Sequence, residues 1–333
     1  MKIGKVSESV LKRSVIRPIE KRRDEVVSTA APGEDCAAVA PGEGGMLVLN
    51  TNPSSISGPD ACIPTSLQML INRVANNLFS AGAEPVGVMS TILLPKETEE
   101  RQLKTIMQEL EKGAAALGME LMGGHTEVTQ AVTMPVVSLT GVGKAQKGAF
   151  CKTAGARAGQ DVVLTKWIGA EGTALLANRK EEELLKRFSE AFVDRAKSFL
   201  DYISVAPEAA VAMKSGVSAM HDVSEGGIFS GLWELAEASG VGLDIDLKKI
   251  PVRQETIEVC EVFGINPYFL MSGGAMLMTT DNGYDLVRNL EAEQIPATVI
   301  GKLTEDNDRI LRNEDEVRYI EPPRPENGYQ LNF

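Results

Sequence analysis

Apolar positions recur along this chain with two alternating periods. Leu67, Leu70, Ile71, Val74 and Leu78 follow the spacing of one face of a helix, and Pro64 stands near its first turn. Leu103, Ile106, Met107, Leu110, Ala114 and Leu117 predict a second amphipathic helix, which Gly118 would stop. Between and around them lie short apolar runs with turn signals at their ends: Met46 to Asn50, Val86 to Leu94 and Ala131 to Val142. These read as strands. Ser7 is placed to cap an opening helix that would run to about Glu25.

A stretch rich in Gly, Ala and Lys, from Lys144 to Gln160, interrupts this pattern. Beyond it the alternation restarts with the run Asp161 to Thr165. Helical spacing follows around 170–178, 182–201 and 206–214, then from Ser224 to about Ala238, and near 254–262 and 283–291. Strand-like runs fall near 242–246, 274–279 and 297–301. The pattern predicts two domains, 1–150 and 151–333, each of mixed α/β (α+β) character, without the regular strand–helix repeat of a doubly wound sheet. The tail from Pro322 reads as extended.

Composition narrows the function. The chain has 333 residues, 43% hydrophobic, enough for a large core. Lys and Arg number 34 against 46 Asp and Glu, for a net charge of -12. So acidic a chain lacks the basic stripe that binds nucleic acid and the polybasic patch that binds anionic lipid. No apolar run reaches the ~18–20 residues of a membrane span, and Met1 to Val15 lacks the apolar core of a signal peptide. Cys36, Cys62, Cys151 and Cys260 have no metal-ligand spacing, so they read as small core residues of a reduced, cytoplasmic protein.

Both histidines sit in glycine-flanked acidic stretches. Gly123-Gly124-His125-Thr126-Glu127 precedes the third predicted strand of the first half, and His221-Asp222-Val223-Ser224-Glu225-Gly226-Gly227 runs from a strand into a helix. Free N–H groups and the dipole make such a helix start a place for a phosphorylated ligand. The plainer reading is that Asp222 or Ser224 caps the helix and Glu225 answers its dipole. Gly33-Glu34-Asp35 puts two carboxylates at a strand entry, which suits either a solvated turn or Mg²⁺ on a nucleotide. Asn77 falls on the apolar stripe of its helix, where an amide must find hydrogen-bond partners.

Taken in order, these segments resemble the superfamily of aminoimidazole ribonucleotide (AIR) synthase, formylglycinamidine ribonucleotide synthase, thiamine-monophosphate kinase, selenophosphate synthetase and the HypE-type hydrogenase maturation factor. Val74-Ala-Asn-Asn-Leu-Phe-Ser-Ala-Gly-Ala-Glu-Pro85 is similar to its helix-and-turn motif. Gly123-Gly-His-Thr126 resembles its G-G-[DEH]-T motif, and His221 to Gly227 its H-D-x-S-x-G-G helix start. Gly159 to Lys166, followed by Gly169-Ala-Glu-Gly172, resembles the HypE-type branch.

The resemblance implies a two-domain fold whose N-terminal domains pair in a homodimer. It implies ATP with Mg²⁺ in a cleft between domains, and phosphoryl transfer to an amide or carbonyl oxygen. On it, His125, Glu127 and His221 are the candidate catalytic residues. Asp35, Asn52, Asn77, Gly123, Gly124, Thr126, Asp222, Glu225, Gly226 and Gly227 would hold the nucleotide, and Glu34, Asp35 and Asp222 the metal. A maturation partner protein is implied as well. The chain departs from the pattern at two carboxylates: Asn52 and Asn77 stand where the family has Asp, which predicts a weakened Mg²⁺ site. Its end, Gln330 to Phe333, lacks the cysteine that carries the HypE-type substrate. The alternative is a non-catalytic homodimer that kept the ligand pocket and lost Mg-ATP turnover.

Overall fold

The computed structural model describes residues 4–42, 44–57, 62–146 and 148–324. The opening helix is shorter than its pattern predicts. α1 covers only Glu8–Val10 and widens into a π-helical turn over Leu11–Ile16. Ser7 makes no side-chain cap. Pro18 accounts for the early end, because it has no N–H to donate and so cannot continue the helical hydrogen bonding beyond Arg17, which is still helical.

The first sheet contains β1 (Val26–Ser28), β2 (Ala37–Gly42), β3 (Gly45–Ser55), β4 (Glu84–Leu94), β5 (Glu120–Val128) and β6 (Val136–Ala145), in the order β1-β2-β3-β6-β4-β5. α2 (Ile63–Ser80) and α3 (Glu100–Ala116) cover one face. Leu67, Leu70, Ile71 and Val74 of α2 pack with Val88, Ile92, Ile106, Leu110 and Leu139. The other face carries the alternate residues, among them Leu47, Met89 and Met122, all exposed. This is the one-sided burial of a largely antiparallel sheet.

The sequence pattern does not predict β1, and two further strands of this sheet differ from expectation. Residues 131–135 precede β6 rather than belong to it, and β5 occupies the stretch read as a Gly-Gly loop. β5 escapes notice because it pairs only with β4, in parallel, and is exposed nearly throughout, so it has no apolar alternation.

The second sheet has seven strands: β7 (Asp161–Thr165), β8 (Ala219–Val223), β9 (Gly242–Asp246), β10 (Ala275–Thr280), β11 (Ala297–Thr304), β12 (Arg309–Asn313) and β13 (Glu316–Tyr319). Their order is β13-β12-β9-β11-β7-β10-β8. Its helices are α4 (Ala170–Arg179), α5 (Glu181–Leu184), α6 (Glu190–Lys197), α7 (Ala206–Lys214), α8 (Gly227–Ser239), α9 (Gln254–Phe263) and α10 (Gly283–Ala292). The stretch predicted as one helix over 182–201 is therefore broken into α5, α6 and a closing 3₁₀ turn. Val162 and Leu164 of β7 pack toward Ile228 and Leu232 of α8, while Val163 packs toward α7 and α10. Every residue of β7, β8 and β10 is buried, which accounts for their unbroken apolar runs.

β8 ends this sheet, and α2 of the first half packs over it. Among the described residues no helix is long and apolar enough to cross a membrane.

Candidate functional site

The contact between α2 and β8 is polar by design of the helix period. Arg73, Asn76, Asn77 and Ser80 recur at i, i+3, i+4 and i+7, so they form one stripe facing the second half. Asn76 is a satisfied core amide: it donates to the Ile203 carbonyl at 2.7 Å and accepts from the Val205 N–H at 3.0 Å. The Asn77 amide, oriented by its neighbours, donates to both Asp222 oxygens at 3.0 and 3.2 Å and accepts from Asn52 at 3.1 Å. The Ser80 hydroxyl donates to Asp222 at 3.2 Å. The Arg73 guanidinium reaches Glu225 at 2.8 Å and Glu171 at 3.2 Å.

Next to this stripe, His221 of β8 is 2% exposed and lies between two acids. Its Nε2 is 3.1 Å from Glu234 and its Nδ1 is 3.5 Å from Asp35. Burial alone would lower its pKa, but the hydrogen bond to Glu234 and the charges of Asp35, Glu234 and Asp222 raise it to about 9. Burial and the neighbouring charge of Asp35 raise Asp222 to about 7, against the pull of His221 and Ser80. So His221 is an imidazolium at neutral pH, and Asp222 holds its proton to higher pH than a free carboxyl does.

A cavity of about 350 Å³ opens beside these residues. Its lining includes the apolar Leu11, Ile16 and Trp233 and the carboxylates of Asp35, Glu225 and Glu234. Asp35 and Glu225 are thus brought to the cavity, with Asp222, Asn77 and Asn52 in the hydrogen-bonded chain behind it.

Other sequence-predicted residues are placed elsewhere. His125, Thr126 and Glu127 lie on the exposed edge strand β5, where His125 pairs with Glu127 at 3.0 Å. They do not join His221 within one chain, because β5 is the far edge of the first sheet. Gly123 has open space where a side chain would stand, but Gly124 is taken up by strand pairing, since a Cβ there would strike the Ser90 carbonyl. Gly226 and Gly227 have φ of 82° and 67°, as a helix start without side chains allows. The missing side chain of Gly227 serves packing, because a Cβ would run into the backbone of Tyr268 and Phe269.

The metal set Glu34, Asp35 and Asp222 is not assembled. Glu34 turns away and accepts from the Ala154 N–H at 2.8 Å. Asp35 faces His221, and Asp222 is occupied by Ser80 and Asn77. Among the described residues no three His, Cys, Asp or Glu side chains form a group that could hold a metal ion. The three carboxylates proposed for Mg²⁺ are therefore not gathered as one ligand set, and the neutral Asn52 and Asn77 add no charge to hold it. The cavity does fit a nucleoside in size and in having both apolar side chains and acceptors in its lining. Burial raises the thiols of Cys151 and Cys260 to about 11 and about 12, so neither is a ready nucleophile.

Sequence reasoning passed over Arg73 and Glu234. The signal for Arg73 was the polar i, i+3, i+4, i+7 stripe; Glu234 lies on α8 13 residues beyond His221 and carried none.

Comparison with known proteins agrees with this architecture. The family model for the AIR synthase related protein N-terminal domain matches residues 33–145, and that for its C-terminal domain matches residues 157–312. Carbamoyl dehydratase HypE of Cupriavidus necator is 26% identical over 253 residues, which is 74% of this chain and 68% of that protein. A structure of AaThiL complexed with AMPPCP and TMP superposes with a TM-score of 0.73 at 21% identity, covering 95% of this chain and 98% of that one. A structure of hydrogenase maturation protein HypE in complex with ATP gives 0.65 at 14% identity, covering 95% and 94%. With both domain models matched in order, the chain belongs to the AIR synthase related protein family.

Proposed function

We propose that this chain binds an adenine nucleotide in the cavity between its two halves, as a ligand-binding member of its family that does not use a metal ion to turn the nucleotide over. The observation that carries this is the cavity itself, whose lining combines the apolar Leu11, Ile16 and Trp233 with the carboxylates of Glu225 and Glu234. Carboxylates in that position accept the hydroxyls of a ribose. Lys5, which lines the same cavity, supplies positive charge toward the phosphates. The ATP and AMPPCP complexes of similarly folded proteins support the ligand class. The neutral Asn77 and Asn52 beside Asp222 support the absence of metal-assisted turnover, because they leave one carboxylate where a divalent ion draws on several charges.

A second reading retains phosphoryl transfer to an amide or carbonyl oxygen. The observation favouring it is the buried His221–Asp222 neighbourhood, a charged donor beside a carboxyl that titrates near neutrality. Calorimetry with ADP and AMPPCP, run in EDTA, tests the first reading. Saturable binding that Ala31→Phe abolishes by filling the cavity is the expected result. No heat with any adenine nucleotide at millimolar concentration would refute it. Release of phosphate from ATP that His221→Gln removes would favour the second reading.

A further inference from the structure

Five carboxylates converge where α2 meets the second half: Asp35, Glu171, Asp222, Glu225 and Glu234. Such a concentration of negative charge needs a cation or it opposes folding. His221 answers Asp35 and Glu234. Lys5 adds charge beside Glu234, Glu225 and Asp35, and Arg73 answers Glu171, Glu225 and Asp222.

Arg73 is well placed to do so. It is the first member of the α2 polar stripe, and its side chain is 13% exposed. Its two terminal nitrogens reach acids on separate elements of the second half, Glu171 in the first turn of α4 and Glu225 just ahead of α8. Glu171 is held from the other side by the Gly273 N–H at 3.2 Å, so both its oxygens are engaged. The Nε–H of Arg73, also buried, meets no acceptor among the described residues and stays available to an oxygen. A guanidinium keeps its charge at every pH of interest, and its planar fork fixes two acceptors at once.

Space beside the guanidinium is short. The void bordered by Arg73, Glu171, Asn76 and Asp222 measures about 10 Å³. That is room for about one water molecule. Mg²⁺ binds in an octahedron and usually keeps several waters. We propose that the Arg73 guanidinium is the resident cation of this cleft: it takes the place of a divalent metal ion, joins the carboxylates of the two halves, and leaves the cleft assembled without metal.

The ion pairs stand whether or not a nucleotide binds, so the test uses a metal ion alone. Mn²⁺ is titrated into the full chain, free of nucleotide, and bound ion is read by electron paramagnetic resonance. The parent should show no saturable site below millimolar Mn²⁺, and its melting temperature should be the same in EDTA and in Mg²⁺. Arg73→Met keeps the length of the side chain but frees Glu171 and Glu225, and it should bind Mn²⁺ at least about tenfold more tightly than the parent. Arg73→Lys, which keeps the charge but not the fork, should bind less Mn²⁺ than Arg73→Met does. Micromolar Mn²⁺ binding by the parent that Asp222→Asn abolishes would overturn the proposal. So would a folded Arg73→Met that binds no more Mn²⁺ than the parent. If Arg73→Met does not fold, the parent titration alone decides. Failure of the nucleotide reading would appear in calorimetry and leave the Mn²⁺ result unchanged.

Discussion

Asn77 and Asp222 meet as amide and carboxylate: the Asn77 nitrogen donates to both Asp222 oxygens, at 3.0 and 3.2 Å. The pair joins the helix that covers the first sheet to the last strand of the second, and both residues are buried. Because the donor is neutral, the pair carries one negative charge rather than two. The Ser80 hydroxyl shares in stabilising it.

Asn77→Asp should therefore be destabilising. Two carboxylates would face each other at hydrogen-bond distance in a buried site, where one must take a proton or find a cation. A loss of about 3 kcal/mol is expected at pH 8, and less at pH 5, where a shared proton relieves the repulsion. Urea unfolding at the two pH values measures it. Joined to Asn52→Asp, the change should also create a Mg²⁺-dependent rise in melting temperature. A double variant as stable as the parent in EDTA would contradict this account of the asparagines.

The parent should lose stability as pH rises through neutrality. Asp222 and His221 both have raised folded-state pKa values, to about 7 and about 9, so the folded state holds protons that the unfolded chain releases. Asp222's contribution is full below its unfolded value near ~3.9 and lost through about 7. His221's is full below ~6.5 and lost as pH rises through about 9. The His221 part has an upper size of about 3 kcal/mol. Unfolding of the parent and of His221→Gln at pH 6, 7.5 and 9.5 separates it: the gap between them should shrink toward high pH. A gap that stays constant would mean that His221 matters only as a packed ring.

Much of the fold was legible because burial writes itself into the sequence. α2, α3, α8 and α9 carry apolar stripes, and β7 and β10 carry unbroken apolar runs between turns. β5 was not legible, since an exposed edge strand with a glycine pair has no hydrophobic period. Of the candidate site, Asp35, Asn77, His221 and Asp222 were found through their local motifs, and the structure brings these four close together. His125 and Glu127 looked equivalent to them in sequence because a motif records neighbours along the chain and not which sheet edge they occupy. The partnership of Arg73 with Glu171 and Glu225 spans 98 and 152 residues, a distance that no local pattern encodes.

Gly227→Val should damage stability first. The backbone there has φ of 67°, and a side chain would strike Tyr268 and Phe269. Left-handed strain and overpacking together should cost about 3 kcal/mol or more. Gly123→Ala, where the space is open, should cost about 1 kcal/mol, all of it from its φ of 142°. Denaturant midpoints of the two variants compare them directly. Equal losses would mean that the packing at the start of α8 is looser than its geometry implies.

The outer face of the first sheet should be covered by a second copy of the chain. Leu47, Met89 and Met122 are 41%, 49% and 46% exposed, and they lie on the face opposite α2 and α3. Thr51 and Thr140, in register with Met89, continue the same face and hydrogen-bond to each other at 3.3 Å. A face of methionine, leucine and threonine with so few charges resembles a sheet waiting for a partner, since aggregation through it would otherwise follow. β5 closes that face with a free edge, and His125 and Glu127 sit on it. Pairing would bring both toward the partner subunit, which is the one arrangement in which they could act at a site they cannot reach within their own chain. Light scattering should give about twice the chain mass of 35.8 kDa. Met89→Asp with Met122→Asp should give the single mass with unchanged secondary structure by circular dichroism, because both side chains already face outward. A parent of single-chain mass at micromolar concentration would leave His125 and Glu127 as surface residues of an edge strand.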